Sequence, residues 1–301
     1  MGGDKEAVPA KLCDGILVVD KPTGITSQKA IDRAKRWFPR GTRIGHTGTL
    51  DPLATGILVL CLGRATRLAE YVQRMPKAYA ATFLFGVESD TDDADGHIVT
   101  IGAANMPSLA ELKEGLRHFE GEFLQTPPRY SALKVGGRRA YAQARRGREI
   151  SLESRSVTVH RLDIVEYAPP LLRLTIKCGR GTYIRSIARD LGSQMGCGAI
   201  VQELRRLAVG HFDLSWAVPL EADEKTACQM ILPMVEAVAT FPRLTILGTD
   251  VAHFRQGLPV AIDRGFDGSA EVAVLDGDGN LLGIGAAAGS RNAVRPLKVL
   301  S

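Results

Sequence analysis

Two short runs near the start of the chain are apolar without a break, Ile16-Leu-Val-Val19 and Ile57-Leu-Val-Leu-Cys-Leu62. Each is bounded by turn residues and predicts a buried strand, the first ending at Lys21-Pro-Thr-Gly24. Ser27 is placed to cap a helix running to about Trp37. Arg64 to Gln73 predicts another, with Leu68, Ala69 and Val72 on one side and Pro76 as its stop. Lys77 to Val87 has the aromatic and β-branched content of a strand. The acidic stretch Ser89 to Gly96, SDTDDADG, then reads as a solvated turn leading into Ile98-Val-Thr100. Ser108-Leu-Ala-Glu111 is a capping box opening a helix to about Phe119. Val157 to Val165 and Leu172 to Cys178 alternate apolar with polar residues, the period of half-buried strands in one antiparallel sheet. Thr182 to Met195 and Val201 to Leu207 follow as helical segments.

Strands and helices therefore mix without a regular βαβ repeat, which predicts an α+β fold with a mixed, mainly antiparallel sheet and flanking helices. Near Leu232-Pro233 and Phe241-Pro242 the chain changes character. Beyond them, Glu271 to Leu275, the turn Asp276-Gly-Asp-Gly-Asn280 and Leu281 to Ala286 form a strong hairpin pattern. A chain of 301 residues is long for one core. The expected division is a flexible start over 1–10, a large domain over 11–240 and a small β domain over 241–301.

Composition narrows the class. With 45% hydrophobic and 24% charged residues, the chain is of ordinary globular type. No apolar run approaches a membrane span, and MGGDKEAVPAK lacks the apolar core of a signal peptide, so a cytoplasmic protein without a membrane partner is expected. The five cysteines are an odd number with no C-x-x-C pair, and the six histidines show no metal-ligand spacing, so neither a disulfide framework nor a metal cage is expected. A net charge of +5 favours an anionic partner. The charge is concentrated: Arg129, Lys134, Arg138, Arg139, Arg145, Arg146, Arg148 and Arg155 stand against only Glu149 and Glu153 between 129 and 155, with Tyr130 and Tyr141 among them. That mixture suits contacts to a nucleic-acid backbone; its bland counterpart is a solvated helix face.

The stretch GHTGTLDPLATG, Gly45 to Gly56, lacks the G-K-[ST] ending of a phosphate loop. The acidic turn fails as a calcium loop, because Ala94 takes a ligand position and no glutamate closes it at Ile101. Asp51 is left as the residue with chemistry to offer. Before a proline, an aspartate is most often a turn former. It is also a nucleophile that needs no neighbouring base, since a carboxylate with a reference pKa near ~3.9 is ionised at neutral pH. Attack on a sugar carbon is the covalent step of retaining glycoside chemistry. That chemistry calls for a second carboxylic acid unless the leaving group, such as a pyrimidine, can delocalise its own charge.

GILVVDKPTGITS and GHTGTLDPLATGILVLCLGRATRL closely resemble the TruB family of tRNA pseudouridine synthases. The likeness continues through KAYAATFLFG, SDTDDADG, PPRYSALKVGGRRAYAQARRG, CGRGTYIRSIARDLG and GCGAIVQELRRLAVG, covering most of 15–210 in order. The resemblance implies isomerisation of the T-loop uridine at tRNA position 55, after extrusion of the base and without cofactor or metal. It makes Asp51 the nucleophile, leaving open whether C1′ or C6 is attacked or a glycal forms. It makes Tyr79 the ring that stacks on the target base, and Arg185 the partner that orients Asp51. His46 would work against the RNA near the flipped base, Tyr183 and Leu204 would line the uridine pocket, and Asp93 would be the arginine's second acidic partner. Lys21 and Pro22 would shape the fold around the site. The basic segment, about 125–155, would be an insertion gripping the T arm through Arg129, Lys134, Arg138, Arg139, Arg145, Arg146 and Arg148. The end of the chain would be a shortened PUA-type domain facing the acceptor stem. A monomer without obligatory protein partners, and a secondary role in tRNA folding, belong to the same expectation. The competing classes are an RNA chaperone built on the same basic segment, and a related synthase serving another RNA.

Overall fold

The computed structural model describes residues 13–101, 106–130, 134–135, 138–139, 152–262, 271–287 and 293–300. Its frame is a large mixed sheet. From one edge to the other the strands are Ala217–Pro219, Gly15–Lys21, Thr55–Leu62, Ala199–Val209, Lys77–Phe85, Leu171–Cys178, Arg155–Ala168 and Gly121–Gln125. Two neighbouring pairs are parallel, Gly15–Lys21 with Ala217–Pro219 and Thr55–Leu62 with Ala199–Val209; the other neighbours in that order are antiparallel.

The two apolar runs are strands with both faces covered, which is why neither alternates. Leu17 and Val19 join the core beneath the Ser27–Ala34 and Ile184–Gln194 helices. Ile16 and Val18 face the other way, into a core shared with Ala273, Leu275 and Ile284 of a second sheet. That second sheet begins at Arg243 and has five strands, with Glu271–Leu275 and Leu281–Ala287 forming the expected hairpin. It is fastened to the helical segment that follows the Thr55–Leu62 strand by an Arg74 to Glu271 ion pair of 2.9 Å and by Arg64 donating to the Leu300 carbonyl at 3.0 Å. A separate small core around Phe254, Val274 and Val294 fills the second sheet itself.

Three expectations about helices need correction. Val201 to Leu207 is not helical; it lies inside the Ala199–Val209 strand, the centre of the main sheet. Its helix-favouring Glu, Leu and Arg residues are overruled by pairing on both sides. Register shifts at Val201/Glu203 and Arg206/Ala208 break the alternation that marks a strand. The first helix is capped by Thr26, whose hydroxyl accepts from the Lys29 amide, so Ser27 is free for another bond. The segment from Arg64 to Gln73 starts as a 3₁₀ turn, Gly63–Leu68, and only then becomes the Ala69–Arg74 helix. The Ser108/Glu111 capping box is present as expected.

Candidate active site

Asp51 sits in the turn between Ile44–His46 and Thr55–Leu62, and that turn is held almost entirely through its backbone. Ser27 accepts from the Leu50 amide at 2.7 Å and donates to the Leu50 carbonyl at 3.0 Å. Lys21, fully buried, donates to the carbonyls of Ile25, Pro22 and Pro52 at 2.8, 2.9 and 3.3 Å. Burial pulls the Lys21 ammonium down to about 8 even though Asp51 works against the shift. Gly24 donates to Pro52 and Ala54 to Asp51 itself. The buried groups thus hold the carbonyls of the turn, and the Asp51 carboxylate is left pointing outward, 34% exposed.

Arg185 meets it from the first turn of the Ile184–Gln194 helix. A cation there opposes the helix dipole and, buried, needs compensation. Four groups supply it. Nε lies 2.9 Å from Asp51 Oδ2 and 3.6 Å from Asp93 Oδ2, while Nη1 and Nη2 donate to the Thr91 and Tyr130 carbonyls at 2.8 and 3.1 Å. Asp93 belongs to SDTDDADG, which is not the solvated turn expected. Ala94 donates to the Val201 carbonyl and Val201 to that of Asp92, so the turn is docked on the central strand and Asp93 is buried. Burial pushes the Asp93 carboxyl up, against the hydrogen bond from Thr91 and the charge of Arg185.

These groups open into a cleft of about 550 Å³ whose walls include Asp51, Tyr79, Tyr183, Arg185 and Leu204. Tyr79 is half-buried, on the strand next to the one carrying Leu204; burial raises its phenol and the neighbouring Arg206 opposes that rise. Tyr183 is fixed by Gln125, which accepts from its amide at 2.8 Å and donates to its carbonyl at 3.0 Å. His46 stands at the end of its strand, one residue before the cleft wall begins at Thr47, and Asp93 lies behind Arg185; neither lines the cleft. Among the described residues, Lys77, Arg155, Arg180, Arg185 and Arg206 do line it, against the single carboxylate of Asp51. The cleft therefore suits a polyanion.

Arg129 is exposed close to the cleft residue Pro127. Lys134 and Arg138-Arg139 fall in a two-stranded hairpin, while Arg145, Arg146 and Arg148 lie outside the described residues. Among the described residues no group of three or more histidine, cysteine or acidic side chains is placed to hold a metal ion, and no helix is long and apolar enough to cross a membrane. Nothing in the sequence singles out Gln125 or Arg206. A glutamine before Thr-Pro-Pro and an arginine in a run read as helix carry no local signal of burial.

A mixed sheet with this cleft, followed by a small second sheet, is the pseudouridine synthase fold. A chain in the structure of an H/ACA RNP bound to a substrate RNA containing 2′-deoxyuridine matches with a TM-score of 0.73 at 22% identity, covering 96% of this chain and 86% of that one. A chain of the archaeal box H/ACA sRNP Nop10-Cbf5 complex matches at 0.71 and 23%, covering 99% and 89%. Sequence defines the branch. Residues 35–184 match the N-terminal domain of the TruB family pseudouridylate synthases, and 185–239 the tRNA pseudouridylate synthase B C-terminal domain. The tRNA pseudouridine synthase B of Xanthomonas campestris pv. campestris (strain B100) is 44% identical over 277 residues, 90% of this chain and 89% of the relative. That of Dechloromonas aromatica (strain RCB) is 38% identical over 279 residues, 91% and 92%. The chain belongs to the TruB family.

Proposed function

We propose that the protein converts the T-loop uridine at tRNA position 55 to pseudouridine, with Asp51 as the nucleophile. The observation that carries this reading is the Asp51 carboxylate, aimed into a cation-lined cleft and oriented by a buried guanidinium. In the net reaction the N1–C1′ bond breaks, a C5–C1′ bond forms, the C5 proton leaves and N1 takes one up, so the product is an isomer and no redox partner is needed. The target base must first leave its stack, at a cost of a few kcal/mol, and stacking on Tyr79 offsets about 1–3 kcal/mol of it. Tyr183 and Leu204 close around the base. His46 meets the RNA beside it, and Asp93 supports Arg185 from behind.

In this reading residues 11–240 form the catalytic domain and 241–301 a PUA-like domain that meets the acceptor stem. The insertion at about 125–155 grips the T arm through Arg129, Lys134, Arg138, Arg139, Arg145, Arg146 and Arg148. The protein works as a cytoplasmic monomer and assists tRNA folding through the same grip.

Incubating unmodified tRNA with purified protein and mapping pseudouridine by chemical labelling tests the reading. Modification at position 55 is expected, and none with Asp51→Asn, which still binds a T-arm stem-loop. Conversion by that variant would remove Asp51 from the mechanism. Reversing Arg145, Arg146 and Arg148 to glutamate should weaken binding and flatten the fall of log affinity with log salt by about 2–3 in slope. An unchanged slope would return that segment to a solvated face.

A further inference from the structure

The buried guanidinium of Arg206 has no part in the reaction as described above. Arg206 is 2% exposed, on the central strand, whereas its neighbour Arg205 reaches Asp20 at 2.7 Å. Arg206 Nε donates to the Ile57 carbonyl at 2.6 Å and Nη2 to the Gly48 carbonyl at 3.1 Å. One rigid fork therefore bridges both sides of the segment that carries Asp51. The backbone makes the same junction: Arg206 pairs with Gly56, where a Cβ would fall 2.2 Å from the Arg206 carbonyl oxygen at a φ of +97°. Nη1 lies under Gly48, 3.6 Å from the place a Cβ would take. Arg206 also stands directly opposite Tyr79 in the register of their two strands, and both side chains line the cleft.

We infer that Arg206 is a positioning residue for the isomerisation. It fixes the Asp51 turn and the Tyr79 ring relative to each other, so that nucleophile and stacking surface meet an extruded uridine in one geometry. The inference rests on the uridine reading of the cleft. A guanidinium is required because its planar donors reach two carbonyls at fixed spacing, while an ammonium is a point charge on a flexible stem. Misplacing a reacting group by a fraction of the substrate's size is costly in rate even when binding is intact.

The experiment compares wild type, Arg206→Lys and Arg206→Gln. Single-turnover conversion at saturating tRNA, tRNA affinity and hydrogen exchange of the RNA-free protein are measured for each. Both variants should lose about 10–100-fold in single-turnover rate, with the lysine variant the less affected. Affinity should change by less than about threefold. Amides between Gly48 and Ala54 should exchange faster, with the Leu171–Cys178 strand unchanged. A wild-type rate, a rate loss matched by lost affinity, full rescue by lysine or unchanged exchange in the turn would each overturn the role. So would faster exchange throughout the main sheet, which would make Arg206 a support of the fold. If wild type makes no pseudouridine, the functional reading fails, while exchange in the turn still decides whether Arg206 holds it.

Discussion

Two acidic turns bring an aspartate to the same guanidinium, and they use it oppositely. The turn around Asp51 is held by its carbonyls, on Lys21, Ser27 and Arg206, so its carboxylate has little structural duty and stays 34% exposed. The turn from Ser89 to Gly96 is docked by its backbone but commits its carboxylates to structure as well. Asp90 accepts from the His97 amide, Asp92 pairs with Arg189 at 3.1 Å, and Asp93 accepts from the Thr91 hydroxyl and the Asp95 amide while only 6% exposed. Asp92 even takes a φ of 60°, a conformation that asparagine and aspartate tolerate better than other side chains. Sharing Arg185 therefore does not make the two aspartates equivalent. A reacting carboxylate needs lone pairs free and facing the substrate, and only the carbonyl-held turn leaves them so.

The largest test of this asymmetry is catalytic. Asp51→Asn should lower single-turnover conversion by about 10⁴-fold or more, and Asp93→Asn by no more than about tenfold. Equal losses would break the distinction and give Asp93 a share in the chemistry. Next in size is Arg185→Lys. An ammonium cannot serve Asp51, Asp93 and the Thr91 and Tyr130 carbonyls together, so the rate should fall by about 10²-fold and the stability by about 3 kcal/mol. Rate and urea midpoint read the two effects. A loss of rate with full stability would mean that Asp93 and the carbonyls find other donors, and that Arg185 serves the catalytic turn alone.

What could be read from the sequence divides along the same line. Uninterrupted runs such as Ile16 to Val19 and Ile57 to Leu62 report burial directly, as do the alternating strands near 157 and 172 and the capping box at Ser108. The family motifs brought together Asp51, Tyr79, Tyr183, Arg185 and Leu204, which do share one cleft. What stayed illegible was the buried polar apparatus beneath it. The family resemblance gives Lys21 only a fold-shaping role, and its three bonds to carbonyls show what such a role consists of. Ser27 looked like a cap because a cap and a bond to a distant turn use the same hydroxyl. Arg206 and Gln125 are polar residues whose burial depends on partners far away in the chain, and two bulges hid the strand that carries Arg206. The acidic turn looked solvated because its docking on Val201 is backbone to backbone and leaves no trace in side-chain pattern.

The smallest effect probes the burial of Asp93 by pH. Desolvation raises the carboxyl above its usual value despite the Thr91 hydrogen bond and the Arg185 charge, with Asp51 adding to the rise and the Asp95 amide opposing it. In the window between the unfolded value and the raised native one, the native state holds more protons than the unfolded chain. This contribution to stability therefore grows as pH falls through the native value and is lost again as pH rises. Asp93→Asn has no such proton to bind. Relative to wild type it should be more favourable at pH 7, where the wild-type carboxyl carries a desolvated charge, than near pH 4, where that carboxyl has begun to be neutralised. Denaturant titrations of both proteins across that range measure the trend. The opposite trend would mean that the field of Arg185 outweighs burial at Asp93, which would make the inner aspartate as well paired as the outer one and leave exposure alone to separate their roles.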